Sequence, residues 1–213
     1  MNPYPAPEPT GHDTGLPSDR AMSIDSITLT GRYVQLEPLE EKHRELLRPV
    51  AQDPRIWTFT GPAMGADFDP WFDRALRGRA AGQESPFIVR LLRDDSLCGS
   101  TRYMAIEAAH RRVEIGSTWY ACAVWASEVN PECKLLLMRH VFETLKWHRV
   151  EYKTDARNAR SREALARLGA LQEGVFRRHM VLADGHIRDS VYFSIIDTDW
   201  PQVKAGLEKR LRY

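Results

Sequence analysis

The sequence has few of the features that mark secreted or metal-binding proteins. It contains only three cysteines, Cys98, Cys122 and Cys133, and their spacing makes no Cys-x-x-Cys pair. An odd number of cysteines without such a pair is typical of free thiols in a reducing compartment rather than of a disulfide framework. None of the seven histidines has a metal-ligand spacing with a cysteine or a carboxylate, so we predict no metal.

Long apolar runs and an excess of charge are also absent. No stretch approaches the roughly 20 apolar residues of a transmembrane helix, and the N-terminus lacks the charged and then apolar pattern of a secretory signal. The net charge is +1, so no overall field attracts nucleic acid or an anionic membrane. We therefore expect a cytoplasmic protein that binds neither nucleic acid nor a membrane.

The chain does have the composition of one globular domain. Its 213 residues are 43% hydrophobic and 28% charged, which is enough to bury a real core. Residues 1–26 are instead rich in Pro, Gly, Asp and Ser, and cannot bury enough apolar surface to offset their ordering entropy. We predict a flexible tail over residues 1–26, or alternatively a docking arm onto a partner subunit, and a single domain over residues 27–213.

The stretch from Arg112 to Ala170 organises the rest of the chain. Its periodicity predicts strand, turn, helix, strand and helix, over Val113–Tyr120, 121–130, Pro131–Trp147, Val150–Thr154 and Asn158–Leu168. The flanking segments predict strands at Leu29–Leu36, Pro86–Leu92, Leu97–Ile106, Leu171–Leu182 and His186–Ile196, and helices at Glu40–Ala51, Phe68–Ala81 and Asp199–Leu211. The fold class is therefore mixed α/β.

The first helix of the organising stretch has a polar start that suits an anion. Asn130 is placed to cap it, and Pro131 fits the first helical position because no intrahelical N–H bond is lost there. Backbone N–H groups at this helix end belong to Val129, Asn130, Glu132, Cys133 and Lys134. Such a cluster favours phosphate or pyrophosphate. The alternative is an ordinary helix start that faces solvent.

Three polar side chains of this stretch are candidates for chemistry. Glu114 lies in a central strand, where a carboxylate is costly to bury without a partner. It is either a general base whose pKa burial raises, or half of a salt bridge. The salt-bridge candidates are Arg102, Arg111 and Arg112. Asn158 and Ser161 either cap their helix or contact a ligand.

Aromatic side chains outside this stretch are candidates for binding a substrate. Trp57 and Phe59 lie on the turn-rich segment Asp53–Asp69, where they either line a pocket or pack in the core. Tyr192 lies on the second strand of a hairpin whose turn is marked by Asp184-Gly185. This hairpin is therefore a candidate border of a substrate site.

Several of these segments resemble the GCN5-related N-acetyltransferase (GNAT) superfamily, and within it the ribosomal-protein alanine N-acetyltransferase branch. The segments are VEIGSTWY, WASEVNPECK, LLLMRHVFETL, KTDARNARSREALARLGA and EGVFRRHMVLADGHIRDSVYFSI. The most specific part, NARSREALARLGA, matches the family pattern Asn-x-x-Ser-x-x-Ala-(x)4-Gly. The likeness runs from about Leu29 to the C-terminus.

The resemblance implies a fold, a reaction and a set of site residues. The fold has a central, mostly antiparallel sheet, a splayed parallel pair formed by Val113–Tyr120 and Val150–Thr154, and helices on both faces. The reaction is direct transfer of acetyl from acetyl-CoA to a primary amine, of a protein N-terminus or a small molecule, in a ternary complex. The implied cofactor-binding residues are Ala123, Val124, Trp125, Val129, Asn130, Glu132, Cys133, Lys134, Asn158 and Ser161.

The implied chemistry assigns Glu114 as the base, acting through water, and Ser161 as a candidate proton donor to the leaving thiolate. We expect a backbone N–H near Ala121–Val124 to meet the oxyanion. Trp57, Phe59 and Tyr192 are the predicted substrate-binding residues, and a homodimer is possible.

The sequence departs from the family's pattern in two places, the pyrophosphate turn and the position of a catalytic tyrosine. The glycines usual in the pyrophosphate turn, in Gln/Arg-x-x-Gly-x-Gly/Ala, align with Glu128 and Asn130, and the first position holds Trp125. Leu165 stands where many relatives carry a tyrosine that acts as general acid. These departures support an alternative function, a catalytically inactive GNAT-fold protein that binds or senses CoA.

Overall fold

The computed structural model describes residue 24 and residues 27–59, 68–182 and 184–213. The predicted tail over residues 1–26 lies almost wholly outside these ranges, as does much of the predicted loop between the first two helices. No helix within the described ranges is long and apolar enough to cross a membrane.

Eight strands form one sheet in the order β1-β2-β3-β4-β5-β6-β8-β7. The strands are β1 Leu29–Thr30, β2 Val34–Pro38, β3 Ser85–Leu91, β4 Leu97–Glu107, β5 Arg112–Tyr120, β6 Arg149–Asp155, β7 Leu171–Val181 and β8 Ile187–Ile196. Every neighbouring pair is antiparallel except β5 and β6, which run parallel. The predicted mixed α/β fold with a mostly antiparallel sheet is confirmed.

Helices cover the sheet on both faces. They are α1 Arg44–Leu47, α2 Phe68–Ala80, α3 Val129–Arg139, α4 Ala159–Leu168 and α5 Trp200–Leu211. Trp119 packs with α1 and α2, whereas its neighbour Tyr120 packs with α3, α4 and α5. Because successive strand residues point to opposite faces, these two hydrophobic clusters lie on opposite sides of the sheet.

Two predicted elements near the N-terminus are wrong. The strand Leu29–Leu36 is divided into β1 and β2, because the backbone N–H groups between them bond to a side chain of α3, described below. The helix Glu40–Ala51 is reduced to α1 between the 3-10 turns Glu41–His43 and Val50–Gln52. Pro49 stands at that break, and it has no N–H to continue the helical bonding.

The helix α3 also differs from its prediction. It begins at Val129 rather than Pro131, and it passes into a π-helix over His140–Thr144 instead of continuing to Trp147. The Val129 N–H donates to the Ser127 hydroxyl at 3.3 Å, and Asn130, which we expected to cap the helix, lies inside it. The helix therefore starts earlier in the turn that follows β5.

Candidate active site

The sheet opens between the two parallel strands β5 and β6. Their ladder comprises the pairs Arg112↔Arg149, Val113↔Val150 and Glu114↔Glu151. Both strands then continue, to Tyr120 and Asp155 respectively, without pairing to each other. Backbone N–H and C=O groups that face this opening can bond to a ligand instead of to a neighbouring strand. The predicted splayed parallel pair is therefore present.

A bulge in β5 lies directly beside the opening. Ser117 has a φ of 47°, a left-handed conformation that is uncommon for a residue other than glycine. The register between β4 and β5 shifts at the same place, between Ser100 and Arg102. Bulges bend a strand and redirect its side chains. This bulge lies between the part of β5 that pairs with β6 and the part that lines the opening.

The turn at the mouth of the opening is tied down by its own hydrogen bonds. The Ala121 N–H donates to Cys98 O at 2.8 Å, and the Val124 N–H donates to Ala121 O at 3.1 Å. Of the segment Ala121–Val124 that we expected to meet an oxyanion, only Cys122 and Ala123 keep backbone N–H groups outside these bonds. We therefore expect the N–H of Cys122 or of Ala123 to meet the oxyanion.

Trp125 connects this turn to α4. Its indole Nε1 donates to Tyr120 O at 3.0 Å, and the guanidinium carbon of Arg160 lies 3.8 Å from its ring centroid. Glu128, the acidic departure from the family's pattern, is exposed. Water and salt screen an exposed carboxylate, which reduces its repulsion of an anion at the turn.

Glu132 has a structural role that the sequence did not reveal. Its fully buried carboxylate accepts the backbone N–H groups of Arg32, Tyr33 and Val34 at 2.8, 2.7 and 2.7 Å. It also accepts a short hydrogen bond from the Tyr213 hydroxyl. These bonds fix the start of α3 to the β1–β2 connection and to the C-terminus.

The predicted contribution of Glu132 to an anion site at the helix end is wrong. Its own N–H donates to Glu128 O at 2.9 Å, because the helix begins two residues earlier than predicted. Gly31 is required beside the carboxylate, since a Cβ there would lie 2.5 Å from Glu132 Cδ. The pairing of Glu132 with residues about 100 positions away could not be inferred from local sequence.

Glu114 occupies the apex of the opening, as the last paired residue of β5. The residue is 5% exposed, and its carboxylate lies 3.3 Å from Lys153 Nζ. Burial raises the pKa of the Glu114 carboxyl above its usual range, although Lys153 acts in the opposite direction. The ion-pair partner is therefore a lysine of β6 and not one of the three predicted arginines, because β6 comes beside β5 only in the folded sheet.

Tyr192 lies next to this ion pair. It pairs in register with Lys153, whose Nζ is 5.9 Å from the Tyr192 ring centroid. The same ring contacts Phe176 and His179, with centroids 4.5 and 5.8 Å away. The structure thus brings the predicted substrate residue Tyr192 close to the candidate base Glu114.

The other two predicted substrate residues are placed differently. Trp57 is a buried core residue, since its Nε1 donates to Ala51 O at 2.9 Å and its ring packs 5.3 Å from that of Trp119. Phe59 is half-buried, and the guanidinium of Arg157 lies 5.9 Å from its ring centroid. Phe59 therefore lies near the start of α4, whereas core packing accounts for Trp57.

The start of α4 faces the same end of the opening. Asn158 caps this helix, and its Oδ1 accepts the Ser161 N–H at 3.0 Å. Gly169 ends the helix in a left-handed conformation with φ of 95°. Leu165, the residue in place of the family's tyrosine, is buried in the hydrophobic core. Asn158 therefore caps its helix, which was one of the two alternatives. Contact of Asn158 and Ser161 with a cofactor stays a prediction.

A cavity of about 230 Å³ adjoins the turn on its other side. It is lined by Arg32, Tyr33, Leu91, Leu92, Arg93, Ala123, Val124, Ser127, Glu128 and Val129. These residues come from the β1–β2 connection, the β3–β4 turn and the turn before α3. The cavity is therefore separate from the opening between β5 and β6.

Comparison with known proteins assigns the fold and the family. The sequence model of the family described as "Acetyltransferase (GNAT) domain" matches residues 34–171. The protein named "Putative ribosomal N-acetyltransferase YdaF", from Bacillus subtilis (strain 168), is 31% identical over 110 residues, which are 52% of this chain and 59% of that protein. The match thus spans less than two thirds of this curated relative.

Solved structures agree with this assignment over more of the chain. A GCN5-related N-acetyltransferase from Brucella melitensis is 32% identical with a TM-score of 0.79, covering 87% of this chain and 85% of that one. RimJ of Mycobacterium smegmatis, solved in complex with CoA-disulfide, is 20% identical with a TM-score of 0.73, covering 87% of this chain and 95% of that one. The RimJ likeness shows the fold alone.

Proposed function

Because the chain belongs to the GNAT acetyltransferase family, we propose that it transfers an acetyl group from acetyl-CoA to a primary amine. The observation that supports this most strongly is the opening between β5 and β6, which begins directly after Glu114. It is bordered by unpaired backbone groups, a helix start and a candidate base. These are the parts that acyl transfer to an amine requires.

In this proposal the opening holds the pantetheine arm, and the turn before α3 holds the pyrophosphate. The backbone groups of the separated strands bond to the amides of the arm. The Asn130 N–H and the positive end of the α3 dipole stabilise the phosphates. Asn158 and Ser161, at the start of α4, approach the arm from the other strand.

Glu114 acts as the general base in the proposed reaction. An ammonium has no lone pair, so the acceptor must lose a proton before its nitrogen attacks the acetyl carbon. Burial raises the Glu114 pKa, which brings a carboxylate closer to the working range of a base. The N–H of Cys122 or Ala123 stabilises the negative charge that develops on the acetyl oxygen.

The acceptor is a primary amine of either a protein N-terminus or a small molecule. The name of the Bacillus subtilis relative favours a ribosomal protein, by analogy only. On the face that carries Glu114, Tyr192 and Lys153 border the place where an amine would approach. An aromatic ring beside a carboxylate favours a cationic amine before it is deprotonated.

The proposed activity is tested by binding and turnover together. Isothermal titration should show acetyl-CoA binding, and incubation with amine-bearing peptides and small amines should give acetylated products detectable by mass spectrometry. Glu114→Gln should bind acetyl-CoA as the wild type does but acetylate slowly. Binding without any product across the amine panel would favour the inactive CoA-binding alternative, for which Leu165 is the supporting observation. No binding would refute both functions.

A further inference from the structure

Three buried polar groups face the opening from the side of α3. Tyr152 is the first residue of β6 beyond the paired segment, and its hydroxyl is buried without a hydrogen-bond partner in the described part of the chain. The buried Tyr120 hydroxyl, on β5, lies against the thiol of Cys133 on α3. Lys134, on α3, places its Nζ 4.7 Å from the Tyr152 ring centroid. Buried polar groups without partners require an explanation.

Lys134 is the least expected of these groups. The residue is 8% exposed, and no carboxylate within the described ranges lies within 4.0 Å of its Nζ. A cation over an aromatic ring gains roughly 2 kcal/mol when desolvated, which is less than the cost of burying an unpaired ammonium. Its stabilising partner is therefore expected to come from a ligand, and that partner should be anionic.

Lys134 and Glu114 approach the opening from opposite faces of the sheet. Glu114 lies on the face of Lys153, whereas Tyr152 and Lys134 lie on the face covered by α3, because successive strand residues alternate. Their charges still interact across the opening, since Glu114 acts to raise the Lys134 pKa. A base on one side and a cation on the other is the arrangement that a two-proton reaction needs.

We propose that Lys134 donates a proton to the sulfur of CoA as the thioester breaks. The amine nitrogen forms the new C–N bond and gives its proton to Glu114 through water. As the C–S bond breaks, its electron pair goes to sulfur, which takes a proton from Lys134 Nζ. Solvent then reprotonates the amine of Lys134, and Glu114 loses its proton to solvent. This inference rests on the proposed acetyl transfer.

The surroundings of Lys134 suit this role. Burial lowers its pKa to about 8, near the value of about 8.5 for a thiol in water. The titratable groups that act on it are Glu114 on β5 and Cys133 on its own helix, and its Nζ lies over the ring of Tyr152. Burial raises the pKa of Tyr120, Tyr152 and Cys133, so all three remain neutral near pH 8.

The two other candidate donors are less suited. Leu165, at the position of the family's tyrosine, has no acidic proton to donate and is buried in the core. Ser161 has a hydroxyl that is neutral in both states, so it cannot neutralise a thiolate by its charge. Lys134 therefore takes the role that the family's tyrosine would have had.

The test measures the thiol pKa of bound CoA, which does not depend on finding the acceptor. The thiolate absorbs in the ultraviolet, and the complex with desulfo-CoA, which lacks only the sulfur, provides the blank. In the wild type the bound thiol should titrate at least one unit below the value of about 8.5 in water, a tenfold gain in thiolate. Lys134→Met should remove this shift, and Lys209→Met, the same change at an exposed position of α5, should leave it unchanged.

Turnover separates proton donation from charge. Lys134→Arg keeps the positive charge and should keep the low thiol pKa, but a guanidinium does not release its proton. We therefore expect kcat to fall about 10²- to 10⁴-fold in both Lys134→Arg and Lys134→Met. Lys134→Met should fold, because replacing an unpaired buried charge by an apolar chain is neutral or stabilising. Its melting temperature checks this directly.

The outcomes distinguish this inference from the proposed function. Wild-type protein that binds no CoA would refute both. Lys134→Met that binds CoA with the wild-type thiol pKa would overturn the role of Lys134 and leave acetyl transfer standing. Lys134→Arg with full turnover would also overturn proton donation, since a charge alone would then suffice.

Discussion

Replacing Glu132 by glutamine should destabilise the protein far more than an ordinary surface change. Each Glu132 oxygen accepts two hydrogen bonds, Oε1 from the Arg32 N–H and the Tyr213 hydroxyl, and Oε2 from the Tyr33 and Val34 N–H groups. Glutamine keeps only one acceptor oxygen and turns an NH₂ toward two donors. Two charge-assisted bonds at about 1.5–3 kcal/mol each give a loss of about 3–6 kcal/mol.

Urea unfolding followed by circular dichroism measures this loss. For a chain of this size, 1 kcal/mol corresponds to roughly 2–4 °C in melting temperature, so thermal melting should also shift clearly. Glu128→Gln is the matched control, because it makes the same change at the same helix end on an exposed side chain, and it should leave stability unchanged. A loss below about 1 kcal/mol for Glu132→Gln would contradict the hydrogen-bond arrangement on which this estimate rests.

Further predictions concern Glu114, Gly116 and Cys122. Glu114→Gln should slow acetylation about 10²- to 10⁴-fold, most strongly below the amine pKa, and turnover equal to wild type across pH would remove Glu114 as base. Because its folded pKa is raised, ionised Glu114 costs stability as pH rises above its unfolded value. Glu114→Gln should therefore unfold at higher urea than wild type at pH 7, with the difference vanishing under acid conditions. Gly116→Ala should also lower kcat, since its Cβ would lie 2.9 Å from Glu114 Oε1. Gly174→Ala, whose Cβ would meet no described atom within 4 Å, should not, and equal effects would contradict this placement. Iodoacetamide should modify Cys122 alone in the native protein, as mass spectrometry would show, because Cys98 and Cys133 are buried whereas Cys122 is partly exposed.

Local patterns in the sequence were sufficient to predict most of the sheet and the last two helices. The capped helix α4, with Asn158 before it and Gly169 after it, was predicted because its start and stop signals lie within the helix itself. Alternating apolar residues likewise located β6 and β8 to within about two residues at each end. Elements whose ends are determined by their own residues are therefore accessible from sequence.

Several of the failures have a different physical origin, since they depend on a partner distant in sequence. The division of β1 from β2 follows from N–H groups that bond to Glu132 on α3. The ion-pair partner of Glu114 is Lys153, which only the parallel register of β5 and β6 brings near. The proposed role of the Lys134 side chain was missed as well, because the helical pattern of α3 assigns this residue only a backbone N–H at the helix start.

The same two buried charges weaken the fold and equip the proposed site. Burial shifts the Glu114 pKa upward and the Lys134 pKa downward, and both shifts mean that the charged form is disfavoured inside the protein. Apolar residues at these positions would make a more stable sheet opening. Retaining a carboxylate and an amine there, on opposite faces of one gap, is better explained by proton transfer than by packing. If so, Glu114→Gln and Lys134→Met should each increase stability at pH 7 while decreasing turnover, the opposite signs that distinguish functional groups from structural ones.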